Sequence, residues 1–363
     1  MRVGVVAERR DGERRVALVP DTVPKLLAAG LQVVVEAGAG RHAFANDDDY
    51  RAAGAEVHEG EVLSTSDVVL TVSPLTLEQA ALLRRGAVTI GFLPARAQPD
   101  LVAALREHQV LAFSMEQVPR ISRAQSMDAL SSQALVGGYR AALVAAERLP
   151  RFFPLFMTAA GTVPPARVMV LGAGVAGLQA IATARRLGAV VEAYDVRPAS
   201  ADEVRSMGAK FLDLGLDSLE GSGGYAREMA EDRAHRQQEL LTPYVAASDA
   251  VITTAAVPGR PAPLLLTTAM VEQMRPGSVV VDLAAESGGN CELTRPGEDV
   301  RHQGVLVWGG RDVPSTMPVH ASQLYARNVA NLLLLMTTDG DVEPDFADEI
   351  VATTCVTREE HGE

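Results

Sequence analysis

The chain has 363 residues, 47% of them hydrophobic, and a formal net charge of −13. That length with that apolar content predicts two domains, each with its own core. The acidic balance argues against nucleic acid or anionic lipid as a main partner, because both demand a basic face.

The opening MRVGVVAERR reads as a first strand, not a secretory leader, since no apolar stretch follows its basic residues. Short β-branched runs then stand at 3–6 (VGVV), 31–36 (LQVVVE), 67–72 (DVVLTV), 87–92 (AVTIGF) and 110–114 (VLAFS). Between them lie helical patterns such as DTVPKLLAAG (21–30) and PDLVAALREH (99–108). Asp21 can cap the first of these and Gly30 can end it. A second alternating unit begins with ARVMVLGAGVAGLQAIATARRLGAVVEAYDVR (166–197) and continues with strands at 249–254, 277–284 and 304–310. Alternating βα units imply a parallel sheet. Long helical patterns near 131–149 and 320–336 flank the second unit. The expected architecture is α/β, with two Rossmann-like domains whose parallel sheets are separated by a cleft and joined by two long helices. The first domain takes 1–130 and 320–363, the second 131–319; two successive domains are the alternative. The tail after Thr337 is acidic and weakly patterned, and partial mobility is expected there.

No apolar run approaches the roughly 18 residues of a membrane helix. Cys291 and Cys355 stand far apart without a ligand pattern, which suits a reduced, cytosolic protein. The seven histidines show no HExxH and no close cysteine, so no metal is expected. No GxSxG elbow or Walker A loop is present.

Gly172, Gly174 and Gly177 form GAGVAG directly after the strand RVMVL, with a helix predicted from Val175. This context gives the motif its meaning. The first glycine allows the tight turn, the second lets a pyrophosphate approach, and the third lets helix and strand pack closely. The helix N-terminus then offers N–H groups to the anion. A tight βα turn without a ligand is the alternative, and the whole βαβ unit favours the cofactor reading over it. The next strand ends at Asp195, placed to accept from the adenosine ribose hydroxyls and to repel a 2′-phosphate, which favours NAD over NADP. Arg197 weighs the other way, since an arginine there can bind such a phosphate, but Asp195 occupies the strand-end position itself and weighs more; a solvated loop residue or an adenine-stacking surface is the alternative for Arg197. Further on, LGLDSLEGSGGYAREM (214–229) carries four glycines and Tyr225. It reads equally as a mobile lid or as a surface linker.

The polar stretch RISRAQSMDALSSQ (120–133) stands between two buried-looking elements. Gln125 and Asp128 are three apart, so a helical turn puts them on one face. A carboxamide needs both a donor and an acceptor, which arginine and aspartate supply. A solvated helix start with serine caps reads equally well from the residues alone.

This stretch, with MTAAGTVPPARVMVLGAGVAGLQAIATARRLGA, SGGYAREM, DLAAESGGNCELT (282–294) and TCVTR (354–358), resembles the NAD-binding subunit of proton-translocating NAD(P) transhydrogenases over nearly the whole chain. The resemblance implies hydride transfer between NAD(H) on this chain and NADP(H) on a partner component. It also implies a separate membrane component that moves protons, a homodimer, and a peripheral place on the cytoplasmic membrane face. Arg120, Asp128 and Ser131 would bond around the nicotinamide end, with Ile121 and Ser122 along the same edge and Gln125 reaching toward the facing nucleotide. Gln125, Arg120 and Asp128 would be the catalytic set. Val175, Asp195, Val196 and Arg197 would hold the rest of NAD, and Gly224, Tyr225, Gln237 and Ala256 would close the site.

Alanine dehydrogenase, a soluble relative with an ERRVAL-like segment, is the competing resemblance. It implies an arginine for the substrate carboxylate, which Arg15 could be, and a lysine and a histidine for the carbonyl chemistry. VLTVSPL holds no lysine, and Pro94 stands where GFLPAR should hold the histidine. Proton transfer at a carbonyl needs a titrating group within hydrogen-bond reach. Hydride transfer between two nicotinamides needs mainly proximity, with the reacting carbons about 3–3.5 Å apart. Arg15 is then expected to be structural. A third reading is a non-enzymatic NAD(H)-binding regulator.

Overall fold

The computed structural model describes residues 1–216, 231–257 and 259–358. It divides into two compact units, Met1–Gln133 with Pro314–Glu363, and Ala134–Val313.

In the first unit six strands form a wholly parallel sheet: β1 (Arg2–Val5), β2 (Gln32–Glu36), β3 (Glu56–His58), β4 (Val68–Leu70), β5 (Val88–Gly91) and β6 (Leu111–Ser114). Their order is β3-β2-β1-β4-β5-β6. Val68 and Leu70 enter one core and Val69 the other, and all three are fully buried. Successive strand residues face opposite sides, so a sheet covered on both faces needs an unbroken apolar run. That explains why five of these strands stand out in the sequence, while polar β3, at an edge, does not.

Local signals succeed where nothing competes. The helix Val23–Ala28 ends at Gly30 (φ +82°), whose N–H bonds Leu27 O while that of Leu31 bonds Leu26 O. This double bond closes the helix on a left-handed residue that glycine adopts at little cost. The expected cap at Asp21 is not made. Pro20 opens a short 3-10 turn (Pro20–Thr22) that contains Asp21, and the cap position passes to Thr22, whose side chain makes no capping bond.

Part of the acidic C-terminal stretch packs into the first unit. The helix Glu349–Thr354 buries Ile350 and Val351 in the first unit's core. Beyond it Cys355 bridges Phe113, and Val356 N–H bonds Ala112 O at 2.8 Å. The TCVTR segment therefore covers the edge of β6, and apolar burial outweighs the local acidity.

The second unit begins with most of the helix Ala129–Arg148 and a small antiparallel hairpin, β7 (Phe156–Thr158) and β8 (Gly161–Val163). Seven more strands follow: β9 (Arg167–Leu171), β10 (Val190–Tyr194), β11 (Lys210–Phe211), β12 (Ala250–Thr253), β13 (Val279–Asp282), β14 (Asp299–His302) and β15 (Val305–Gly309). The sheet order is β11-β10-β9-β12-β13-β15-β14. All neighbours are parallel, as expected, except the edge pair β14 and β15, which is antiparallel. Polar DVRH follows β13 by a loop and pairs as a hairpin, for which antiparallel geometry is the short route. Val168 and Val170 face one core, Met169 and Leu171 the other. No helix among the described residues is long and apolar enough to cross a membrane.

Candidate functional site: a dinucleotide loop and a braced polar stretch

The second unit turns at Gly172, where φ is +99°. Thr254 Oγ1 donates to the Gly172 carbonyl at 3.0 Å, tying the turn to the end of β12. The helix Val175–Arg186 starts at the expected residue, and no side chain caps it at Gly174. A Cβ on Gly177 would stand 1.8 Å from Gly172 O, whereas one on Gly174 would meet only Arg197 Nη2, at 4.0 Å. One glycine is thus required for packing and the other leaves open room before an N-terminus rich in N–H groups. This is the geometry that a pyrophosphate needs.

At the end of β10, Asp195 and Arg197 are brought together rather than set in competition. Nε of Arg197 donates to Asp195 Oδ1 at 2.9 Å and Nη2 to Oδ2 at 3.0 Å. Val196 lies between them, half-buried. A cavity of about 370 Å³ opens beside this end, lined by Tyr194, Asp195, Val196, Arg205, Phe211 and Leu214 among others. Gln237 is buried and accepts the Tyr194 hydroxyl at 3.0 Å, so it steadies the strand from below. Burial pushes the Tyr194 hydroxyl up to about 12, which keeps it a donor. Ala256 is exposed just past β12. Gly224 and Tyr225 lie outside the described residues, and so does most of the segment read as lid or linker.

In the first unit the helical turn expected over the polar stretch is of the 3-10 kind. Ser122–Met127 forms a 3-10 helix, and Asp128 leaves it with φ −72° and ψ 88°. The cause is the long helix that follows, which needs a cap. Asp128 accepts from Ser131 N–H at 2.8 Å and from Ser131 Oγ at 2.6 Å. Aspartate, not serine, is therefore the cap. Gln125, Ser122 and Arg120 are exposed, Ile121 half-buried, while Ala124 and Met127 anchor the stretch in the core.

The anchoring is reinforced by side chains that no sequence motif marks. Asn328 Nδ2 and Asn331 Nδ2 both donate to the Ser126 carbonyl, at 2.9 and 3.0 Å, and Ser132 Oγ donates to Asn328 Oδ1 at 2.7 Å. Arg123 pairs with Asp348 at the other side. Both asparagines lie on the helix Pro318–Leu335, some 200 residues away in sequence, so no local pattern announces them. In the second unit Asn290 has the same kind of role. Its Nδ2 donates to Ala255 O and Pro263 O, both at 2.8 Å, and its own N–H bonds Asp282 Oδ2. Buried Asp282 also accepts from the N–H groups of Ala284 and Cys291 and from Thr294 Oγ1, which explains the DLAAESGGNCELT pattern.

Arg15 is engaged from several sides. Nε and Nη2 donate to Glu13 at 2.8 and 2.7 Å, and Nη1 to Gln133 Oε1 at 2.9 Å. Burial alone would raise the Glu13 carboxyl, but the Arg15 bonds and charge, with the Ser315 hydroxyl, bring it down to about 2. Glu8 is the opposite case. Burial raises it to about 7 despite bonds from the Val72 and Ser73 N–H groups, and the nearby Glu13 charge adds to the rise. An acid raised in the folded state holds a proton there that the unfolded chain has released. Stability should therefore fall as pH rises from the ordinary 4.5 through about 7, then level off. The span corresponds to at most about 3 kcal/mol. Glu8→Gln mimics the protonated acid, so its Tm should exceed the wild type's at pH 8 and match it at pH 5. Equal Tm differences at the two pH values would show that Glu8 does not titrate in this range.

Family models match both parts of the chain. The alanine dehydrogenase/PNT N-terminal domain covers residues 4–137 and the alanine dehydrogenase/PNT C-terminal domain residues 141–362. This chain belongs to the alanine dehydrogenase/PNT family. An NAD(P) transhydrogenase subunit alpha chain of Rhodospirillum rubrum is 48% identical over 99% of this chain and 97% of its own length. A solved structure of a transhydrogenase from Sinorhizobium meliloti superposes with a TM-score of 0.88 at 43% identity, over 98% of each chain. The alanine dehydrogenase of Mycobacterium tuberculosis is more distant, at 33% identity over 82% of this chain and 76% of its own. Within the alanine dehydrogenase/PNT family, then, this chain is more similar to the transhydrogenase members than to that dehydrogenase.

Proposed function

We propose that this chain is the NAD(H)-binding subunit of a proton-translocating NAD(P) transhydrogenase. It catalyses NADPH + NAD⁺ ⇌ NADP⁺ + NADH together with an NADP(H)-binding component, while a membrane component couples the reaction to proton movement. The observation that carries this reading is the braced stretch of the first unit. Arg120, Ser122 and Gln125 are exposed on a backbone fixed by Asn328, Asn331 and the Asp128 cap. Exposed polar groups on a rigid base suit contact with a second protein-bound nucleotide, because preorganised groups lose little freedom on docking. The nicotinamide supplies or accepts the hydride. Arg120, Asp128 and Ser131, with Ile121 and Ser122 along the same edge, would orient it, Gln125 would reach toward the facing nucleotide, and the glycine loop with Val175, Asp195, Val196 and Arg197 would hold the remainder of NAD(H). Gln237 and Ala256, with Gly224 and Tyr225, complete the set.

The alanine dehydrogenase reading is the weaker one. Arg15 commits three of its five N–H donors to Glu13 and Gln133, and the lysine and histidine that carbonyl chemistry needs are missing from VLTVSPL and GFLPAR. The deciding experiment is reconstitution of the full chain with an NADP-binding transhydrogenase component, following reduction of an NAD analogue by NADPH. Activity requiring both proteins is expected. NADH binding without transfer, even with the cognate partner, would leave the regulator; turnover of L-alanine with NAD⁺ would install the dehydrogenase.

The same reading places the chain as a homodimer on the cytoplasmic membrane face, held there by its partners. The hairpin β7 and β8 supports the dimer: Met157 is 78% exposed, and Phe152 and Leu155 are 58% and 51% exposed beside it. Apolar side chains clustered on a small exposed hairpin mark a protein–protein surface. Met157→Asp should convert the dimer to monomer in sedimentation analysis while NADH binding stays within twofold. A dimer that survives this change would move the interface elsewhere.

A further inference from the structure

One buried carboxamide ties the end of β12 to the turn that follows β13. Asn290 is 0% exposed, and its Nδ2 donates to Ala255 O and Pro263 O. Its own carbonyl accepts from the N–H groups of Leu265 and Leu266 at 2.8 and 2.9 Å, and Ser287 O accepts from the Ala262 N–H at 2.7 Å. The chain leaving β12 is therefore held at both Ala255 and Pro263 by a single turn. Asp282 fixes that turn in its place. It is also 0% exposed, and it accepts from the N–H groups of Ala284, Asn290 and Cys291 and from Thr294 Oγ1. Gly289, at φ +82°, lets the turn close on the carboxylate, since a Cβ there would stand 3.1 Å from Asp282 Oδ2.

On the other side of Ala255 the connection runs to the dinucleotide turn. Thr254 Oγ1, bonded to Gly172 O, sits in the notch between that turn and the helix Val175–Arg186. Cβ atoms on Gly172 and Gly177 would stand 2.7 and 3.1 Å from it. We propose that Asn290 is a positioning residue for the nucleotide: held by Asp282, it fixes the end of β12 so that Thr254 keeps the glycine turn in the shape that receives NAD(H). The inference rests on the NAD(H)-binding reading above. Packing alone does not account for the asparagine. Its Oδ1 is buried and bonds none of the described residues, a cost that a leucine of similar shape would avoid. What asparagine supplies here is two N–H donors for two carbonyls. Side chains that lock the supporting backbone in this way set the precision of the groups that meet a ligand.

NADH is titrated against the full-length wild type, Asn290→Leu, Thr254→Val and the double variant, with circular dichroism as the control for folding. Each single variant should bind NADH at least tenfold more weakly. The double variant should fall no more than threefold below the weaker single, because the second change breaks a connection already broken. A smaller loss in either folded single variant overturns the proposal. A double variant that falls further also overturns it, since independent packing defects add in free energy and so multiply in affinity. Hydrogen exchange of the wild type decides the matter where a variant does not fold. NADH should slow exchange at least threefold over residues 284–291, which hold the amides bonded to Asp282; unchanged exchange there overturns the proposal. A wild type that binds no NADH strikes the NAD(H) reading itself.

Discussion

Gly177→Ala should lower NADH affinity at least 100-fold, about 3 kcal/mol. The added Cβ would lie 1.8 Å from the Gly172 carbonyl oxygen and 2.8 Å from its carbon. Backbone, not a flexible side-chain tip, is what it meets. The helix Val175–Arg186 must therefore back away from the turn and take its N–H groups with it. Fluorescence titration with NADH measures the loss. Gly174→Ala is the contrast, because its Cβ meets only a guanidinium nitrogen at 4.0 Å. Any loss there reports on ligand approach and not on distorted protein. A Gly177→Ala loss below tenfold would show that the helix yields readily and that the close packing is not what shapes the anion site.

The second large effect is expected at Gln125. Gln125→Asn keeps the carboxamide and retracts it by one methylene. Misplacing a group by about 1 Å in a proximity-driven reaction costs about 100-fold in rate. In the reconstituted system the hydride-transfer rate should fall by that order, while the NADH Kd of the isolated chain stays within threefold. The exposure of Gln125 and the brace beneath it make the separation of the two quantities possible. Equal losses in rate and in NADH binding would falsify the assignment and make Gln125 an ordinary ligand contact.

The sequence is most legible where one local signal acts alone. Buried parallel strands such as Val168–Leu171 show as apolar runs, and the GAGVAG turn has a steric reason at each glycine. Legibility fails where long-range partners decide. Asp128 looks like a companion of Gln125 on a helical face, yet the demand for a cap turns it toward Ser131. Asp195 looks like a free acceptor, yet it also accepts from Ala173 and Arg197. Asn290, Asn328 and Asn331 carry no pattern, because each is defined by a backbone carbonyl far along the chain. Edge strands Glu56–His58 and Asp299–His302 escape notice for the converse reason, since exposed strands need no apolar repeat.

The first unit is assembled from the segments on either side of the second. The Met1 amino group donates to Gly340 O at 2.7 Å, and the core that covers β1 includes Tyr325, Val329, Leu332, Leu333, Ile350 and Val351. The second unit, by contrast, is one unbroken stretch. During synthesis β1 emerges well before the residues that cover it, which follow the whole second unit. At roughly 5–20 residues per second, the opening strands wait many seconds with an apolar face bare, while the later-made unit already has everything it needs to fold. The half of the molecule translated first is the half completed last, and a nascent chain released early would lose that half and keep the other.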